Sequence, residues 1–521
     1  MKSYPNMGDF GLVHSLSFFY FISLAMLLCS FLLAIKYESE NGGRIKYFII
    51  ILLLISFIFL TPVLIEETAR FRYAYKVYGY TDYINRNGEI NPFDVWYHNW
   101  PGAFFLISML SKFIESNDFL FMTYFPFIIE ILYFFPLYIF LKTLFQDEKK
   151  VWLGIWLFYI FNFINQDYMS PQALAYLFYL IFLSIVVKIG MNKNYDINGD
   201  MPFKFICILL FTGLVITHMM TPMIILSILI FSVLFLPNSK RFLYKYILVC
   251  TFILIGWTYY GAHNYLNSYL LDFIDKSYEM DLILEQNLEN RVVGSPAHLI
   301  VSRLMIFTAF ISIFFSAIGI FLSYYKKDKI FTTINLQMIA LIGAILLSAF
   351  SSSYGGELIM RVFLFTLPFV SFFIPQIFGY SNTKIFLILL IILLTPLNIV
   401  SHYGNEKYDY VSKAEIVSYD FFYNKIDDGN ITGGFPSYAY KFPERYNYLY
   451  FKNMEWNGNE YTVKTGNHYN IMIARGDKVE YELFNNNVSY INDIQNNILN
   501  SNNYVYFYSN GDMNMYKNVN N

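Results

Sequence analysis

Most of the chemistry this chain offers is concentrated between Ile65 and Gly102, where Glu66, Glu67, Arg70, Arg72, Asp82, Asp94 and His98 stand among aromatic residues. Glu66 and Glu67 directly follow an apolar run. Adjacent carboxylates on a helix point in different directions, so one of the two can face a cleft. A carboxyl group that loses solvation at the membrane surface has its pKa raised unless it is paired, which is how a general base is tuned. The plainer reading is a polar helix end with Arg70 as an i,i+3 or i,i+4 partner. Further on, Asp94, His98 and Asn99 are interleaved with Trp96, Tyr97 and Trp100 in D-V-W-Y-H-N-W-P-G. Tryptophan and tyrosine anchor proteins at the membrane interface. Aromatic faces beside donors and acceptors are also what a sugar ring requires.

Four later sites carry weaker or sharper versions of the same signal. Asn165, Gln166 and Asp167 precede Ser170-Pro171-Gln172. Ser170 suits a helix cap and Pro171 a first helical turn, so Asp167 is the residue that capping does not need. His218 ends one apolar run just before Thr221-Pro222 opens the next. It can serve as a neutral hydrogen-bond partner or, protonated, as a phosphate contact. Arg361 lies inside G-G-E-L-I-M-R-V-F-L-F-T-L-P-F. An arginine there costs about 2–3 kcal/mol unless it snorkels or is paired. Its fork suits a phosphate or carboxylate, with Glu357 as the structural partner at i−4. Arg303 is a second candidate cation and Arg291 a weaker one. Dedicated metal cages, phosphate-binding glycine loops, dinucleotide fingerprints and nucleophile elbows are absent from the sequence. The metal arrangement the residues allow is a divalent cation such as Mg or Mn, held by Glu66 or Glu67 with Asp94 and a substrate phosphate.

These residues must be positioned by a membrane protein. The 521 residues are 56% hydrophobic and 14% charged, well below the quarter usual in soluble domains. The formal net charge of -2 argues against nucleic acid as a partner. Cys29, Cys207 and Cys250 all sit in apolar runs, which suggests no disulfide framework. Apolar runs at 12–35, 46–65, 119–144, 151–165, 170–190, 203–218, 221–236, 243–262, 298–324, 331–352, 358–379 and 383–400 predict an all-α polytopic bundle of about twelve spans. Runs 151–165, 203–218 and 221–236 are short, which predicts tilt or membrane thinning. Pro101–Phe113 is too short to cross and reads as an interfacial or re-entrant segment. The first apolar run is too long for a signal-peptide core, so it reads as a retained helix.

Basic residues set the orientation. Lys36, Arg44 and Lys46 mark one loop, and Lys149, Lys188, Lys240, Lys326 and Lys384 mark alternate later ones, which predicts that side to be cytoplasmic. The loops 66–118 and 263–297, the turns at 165–172, 218–222 and 351–357, and the N-terminus then face outward. So does the polar tail 401–521, separate from the membrane domain 1–400. In that tail, Val411–Ile426 predicts a helix, and Tyr469–Ala474 and Lys478–Phe484 predict strands. Asn510-Gly511 between two alternating runs predicts a hairpin. The tail is thus expected to be a small α/β domain; its sequons at Asn430 and Asn487 are compatible with an external location.

The W-Y-H-N-W-P-G loop, followed by S-P-Q-A-L-A and H-M-M-T-P at later turns on the same side, resembles the archaeal branch of the GT-C membrane glycosyltransferases. That plan is shared with protein mannosyltransferases and oligosaccharyltransferases. The resemblance implies transfer of a sugar from a polyprenyl-phosphate carrier to a glycan or protein acceptor at the outer face of the cell membrane, with inversion. It places the base on Glu66 or Glu67, with Asp94 second, and the phosphate clamp on Arg361. On the reading of the residues themselves, Trp96, His98, Asn99, Trp100, Asp167, Gln172, His218, Arg303 and Glu357 are expected to be the accompanying substrate contacts. The sequence departs from the family plan in an extra first helix and in the lack of an Asp-x-Asp pair. Three other readings compete. A polysaccharide repeat-unit polymerase or ligase would work through Arg291 and Arg303. A lipid-linked glycan transporter would show an internal repeat and mid-membrane charges. A sensor or scaffold would leave the membrane part without an outer cavity.

Overall fold

The computed structural model describes residues 7–37, 43–93, 95–114, 118–191, 201–236, 240–266, 293–350, 358–379, 384–433, 441–451, 455–456, 461–462, 469–484 and 488–519. Each of the twelve apolar runs folds as a helix. Nine helices among the described residues are long and apolar enough to cross a membrane, by length and composition. The short runs are the helices Glu148–Phe161, Met201–Thr217 and Thr221–Phe235. Glu148–Phe161 shows why a short run suffices. Every residue from Val151 to Phe161 is buried, so this helix lies inside the bundle and meets no lipid. Trp156 stacks on Phe31 with ring centroids 4.2 Å apart, and Trp152 on Tyr47 at 5.4 Å. The carbonyl groups at its C-terminal end have no intrahelical partners. Asn398, from the last apolar helix, donates to Ile160 O at 3.0 Å and to Asn162 O at 3.3 Å.

Local irregularities follow the prolines. The span Arg44–Ile65 contains a π-turn at Ser56–Leu60 just ahead of Pro62, and Asp118–Leu144 carries Pro126 and Pro136. At one end of the bundle Glu148 accepts from Arg44 and Lys142 at 2.7 and 2.8 Å. At the other end, the polar stretch after Ile65 forms the helix Arg72–Asn87, a 3-10 turn at Trp96–Asn99 and the short apolar helix Gly102–Ile114.

The tail contains a five-stranded mixed sheet of β1 (Gly429–Gly433), β2 (Tyr446–Tyr450), β3 (Asn470–Ala474), β4 (Tyr504–Ser509) and β5 (Met513–Asn518), in the order β2-β1-β3-β5-β4. β1 runs parallel to β2 and β3, while β5 is antiparallel to β3 and β4. The helix Lys413–Lys425 starts on a capping box between Ser412 and Glu415. The hairpin forms around Asn510-Gly511, with Gly511 at φ +94°. Lys478–Phe484, expected as a strand, is instead part of the helix Arg475–Leu483. Its apparent alternation is outweighed by the i,i+4 burial of Val479 and Leu483 and by Asp477, which accepts from Ala474 N–H at 2.8 Å at the helix start.

Candidate functional site

Residues Tyr73, Lys76, Val77 and Tyr80 recur at i, i+3, i+4 and i+7, so they form one face of the helix Arg72–Asn87. That face is the wall of a narrow slot of about 60 Å³. Trp96, Tyr97 and Trp100 form the facing wall, and Gln172, His218 and Arg361 close it. The aromatic and polar residues of the W-Y-H-N-W run divide the labour. The rings enter the slot, whereas His98 and Asn99 are fully buried and hold the loop. His98 Nδ1 accepts from Asn91 N–H at 3.0 Å, and Nε2 faces Tyr80 O at 3.2 Å. These partners fix the neutral Nε2–H tautomer. Burial pushes the pKa of this imidazole down to about 4. Asn99 donates to Pro92 O and Trp96 O, and its own carbonyl accepts from Trp257 Nε1 at 3.2 Å.

The slot is cationic. Lys76 lies near the rings of Tyr80 and Tyr97, at 5.9 and 5.6 Å, and burial lowers its pKa to about 8. Arg361 donates to Gln172 Oε1 at 3.2 Å. His218 accepts from Thr221 N–H through Nδ1 at 3.3 Å. Burial first, and Arg361 second, lower its pKa to about 3, so it presents a neutral N–H. The described residues lining the slot include no carboxylate.

A second cavity, of about 350 Å³, adjoins the slot and shares Tyr73, Gln166, Tyr168 and Arg361 with it. Its other walls include His298, Ser302, Asn405, Tyr408, Asp409 and Phe484. Segments that the sequence placed on one side of the membrane therefore meet at one end of the bundle.

Other carboxyl groups gather around Arg70. Both oxygens of Glu406 accept from Arg70 Nε at 2.8 and 2.7 Å. Asp167 Oδ2 stands 3.6 Å from Nη1, and Asn165 Oδ1 accepts from Nη2 at 3.1 Å. Burial raises the pKa of Asp167 against the pull of Arg70. Glu66 is fully buried and shares a hydrogen bond with Glu406. Burial, then the Glu406 charge, holds its pKa well above the usual carboxyl range. Glu67 is exposed. Asp94, Glu357 and Arg291 lie outside the described residues. Arg303 is exposed on its helix, while Ser302 beside it lines the second cavity.

One backbone torsion sets this layout. Phe71 adopts φ +77°, a left-handed conformation that costs a non-glycine residue on the order of 1–3 kcal/mol. It is held by stacking on Tyr168 at 4.8 Å and by donation of its N–H to Asp409 O at 3.2 Å. The kink sends Arg70 into the carboxylates. Arg72 turns toward the tail, where Asp477, Glu415 and Glu480 lie 3.7, 3.9 and 3.9 Å away.

Sequence reasoning missed Lys76, Tyr73 and Tyr80, although their stripe could be read from spacing. It also missed His298, Asn405, Glu406 and Asp409, which no local pattern connects to the loop. Glu130, in the middle of an apolar helix and accepting from Asn162 at 3.1 Å, was a readable signal as an intramembrane carboxyl group. Among the described residues no three His, Cys, Asp or Glu side chains converge to hold a metal ion. The carboxylates that do gather are engaged by Arg70, an arrangement that does not suit a divalent cation.

No family model and no curated protein matches the chain by sequence. Its fold does have solved counterparts. The chain aligns with the Archaeoglobus fulgidus oligosaccharyltransferase tethered to an acceptor peptide containing the NVT sequon, with a TM-score of 0.53 and 11% identity over 92% of this chain and 74% of that one. The same enzyme in complex with Zn and sulfate gives a TM-score of 0.51 and 13% identity over 91% and 73%. ArnT from Cupriavidus metallidurans, bound to undecaprenyl phosphate, gives 0.51 and 7% identity over 92% and 98%. Both proteins are GT-C glycosyltransferases, and this chain has a GT-C-like membrane fold.

Proposed function

We propose that this protein is a membrane glycosyltransferase that moves a sugar from a polyprenyl-phosphate carrier to an acceptor at the outer membrane face. The observation that carries the reading is the slot in which Lys76, Arg361 and the neutral N–H of His218 converge among Trp96, Tyr97 and Trp100. Two cations and a neutral donor suit a lipid phosphate, a diester while the sugar is attached and a more highly charged monoester once it has left, and the rings suit the attached sugar. The named neighbours fit: one was captured with undecaprenyl phosphate and another with an acceptor peptide.

The reaction would be an inverting displacement. A carboxylate takes the acceptor proton, the acceptor oxygen bonds to the anomeric carbon, and the carbon–phosphate oxygen bond breaks. Lys76 and Arg361 then stabilise the charge that returns to the lipid phosphate. Asp409 is the described carboxyl group that lines the second of the two adjoining cavities, and burial, then the Glu406 charge, raises its pKa in the direction that tunes a general base, so we place the base there, with Asp94 as the alternative from its own loop. Glu66 lines neither cavity, which suits it to support rather than to proton abstraction. A divalent cation is assigned no step. In the same reading the chain crosses the membrane about twelve times. Residues 66–118, 263–297 and the tail domain 401–521 lie outside.

The test is binding of undecaprenyl phosphate to the full-length protein in nanodiscs, read by quenching of the slot tryptophans. Saturable binding that weakens at least tenfold in Arg361→Ala and Lys76→Ala is expected. Binding unaffected by both substitutions would overturn the reading.

A further inference from the structure

We infer that the second cavity seats the acceptor and that this acceptor is a neutral sugar presenting a free hydroxyl; the inference rests on the donor slot proposed above. The two cavities share the wall of Tyr73, Gln166, Tyr168 and Arg361, so ligands in each meet across it. A transferred group needs to travel only that boundary.

The chemistry of the second cavity differs from that of the slot. Its volume of about 350 Å³ lies within the range of small-ligand sites. Its lining carries one carboxyl group, Asp409, and one guanidinium, the shared Arg361, so no cluster of either sign marks it for an anion or a cation. On one side His298 Nδ1 faces Asn405 Oδ1 at 3.2 Å, and Ser302 Oγ faces His298 Nε2 at 3.3 Å. This chain of neutral groups leaves the Asn405 amide N–H and the Ser302 oxygen lone pairs for neighbouring hydroxyls. The other sides are flat rings: Phe71 stacked on Tyr168 at 4.8 Å, and Tyr408 edge-on to Phe484 at 4.8 Å. Ring faces plus neutral, alternating donors and acceptors match the C–H faces and hydroxyls of a sugar. An extended peptide would want a strand edge for its backbone. The described lining residues come from helices, turns and the irregular segment 163–168, and none from a strand.

In the transfer step the acceptor O–H gives its proton to Asp409 and its oxygen forms the new bond to the donor's anomeric carbon. The electron pair of the broken bond leaves on the lipid phosphate, beside Lys76 and Arg361. Asp409 then releases the proton to water.

The experiment is saturation-transfer NMR on the full-length protein in nanodiscs. The probes are farnesyl phosphate, three neutral methyl glycosides (α-mannoside, β-galactoside and N-acetyl-β-glucosaminide) and a hexapeptide containing Ser and Thr. Ser302→Phe fills the cavity, and Asn405→Ala removes a donor without adding bulk. At least one glycoside is expected to show transfer that falls at least fivefold in both variants, while farnesyl phosphate transfer stays within twofold. Absence of glycoside transfer, transfer indifferent to both substitutions, or occupancy by the peptide instead would overturn the acceptor assignment while leaving the donor slot standing. Absence of farnesyl phosphate transfer in the unsubstituted protein would remove the donor slot, and the acceptor assignment with it.

Discussion

The guanidinium of Arg72 fills the space in which a side chain on Gly476 would begin: a Cβ there would overlap Nη2. Arg72 is almost fully buried, with Asp477 and Glu415 nearby and the Tyr408 ring 5.3 Å away. The absent side chain of Gly476 is what lets the helix Arg475–Leu483 approach so closely. Gly476→Ala is therefore expected to expel Arg72 and leave its carboxylate partners buried without their cation. Breaking such a pair costs about 3–5 kcal/mol. Thermal unfolding in detergent should show the loss, and Gly476→Ala should be no milder than Arg72→Met.

Arg361 is expected to act through its fork as well as its charge. Arg361→Ala should lower sugar transfer on the order of 100-fold, the usual effect of removing one stabilising donor from a transition state. Arg361→Lys should restore only part of it, because an ammonium cannot hold Gln172 and a phosphate in the same planar geometry. Steady-state kinetics with a polyprenyl-phosphate sugar decide the point; full rescue by lysine would reduce the role of Arg361 to charge alone.

Lys76 gives the donor site a pH dependence. With its pKa lowered to about 8 by burial, the ammonium is charged below that value and neutral above it. Affinity for undecaprenyl phosphate should fall as pH rises through about 8. In Lys76→Arg the fall should disappear, since guanidinium keeps its proton. A binding titration from pH 6.5 to 9.5 on both proteins measures this.

Glu66 and Glu406 should respond differently to the same amide substitution. Burial favours the protonated form of Glu66, and Glu66→Gln keeps a hydrogen-bond donor facing Glu406. Transfer activity should stay within about threefold and stability within about 1 kcal/mol. Glu406→Gln takes the charge from Arg70 and should destabilise the protein by about 3–5 kcal/mol. A hundredfold loss of activity in Glu66→Gln without loss of stability would instead make Glu66 the base.

His98 makes the loop sensitive to acid. Its pKa in the folded protein, about 4, is below the ordinary 6.5, so the unfolded chain binds the proton more readily. The stability this imidazole contributes is present above pH 6.5 and is lost as pH falls toward 4, by roughly 3 kcal/mol at most. Thermal melts across that range should show a drop that is smaller in His98→Gln.

Much of the membrane architecture could be read from the sequence, because a span announces itself through an unbroken apolar run. The twelve runs became helices, and the hairpin around Gly511 followed from turn chemistry. Individual roles within the Trp96–Trp100 loop were harder to read. Composition shows that rings and polar groups alternate, but only packing shows that His98 and Asn99 bond inward while the rings enter the slot. Asp409 and Asn405 were the least legible. They follow the last apolar helix in an unremarkable N-E-K-Y-D stretch and reach the site by folding back more than 300 residues onto Phe71.

The walls of the two cavities draw on residues from Phe71 to Phe484. The site therefore cannot close while the chain is still being made. Every helix must be inserted and the tail must fold back against the Arg72 face before the second cavity has its last wall. A chain cut before Phe484 would keep the helices of the bundle but leave the second cavity without that wall.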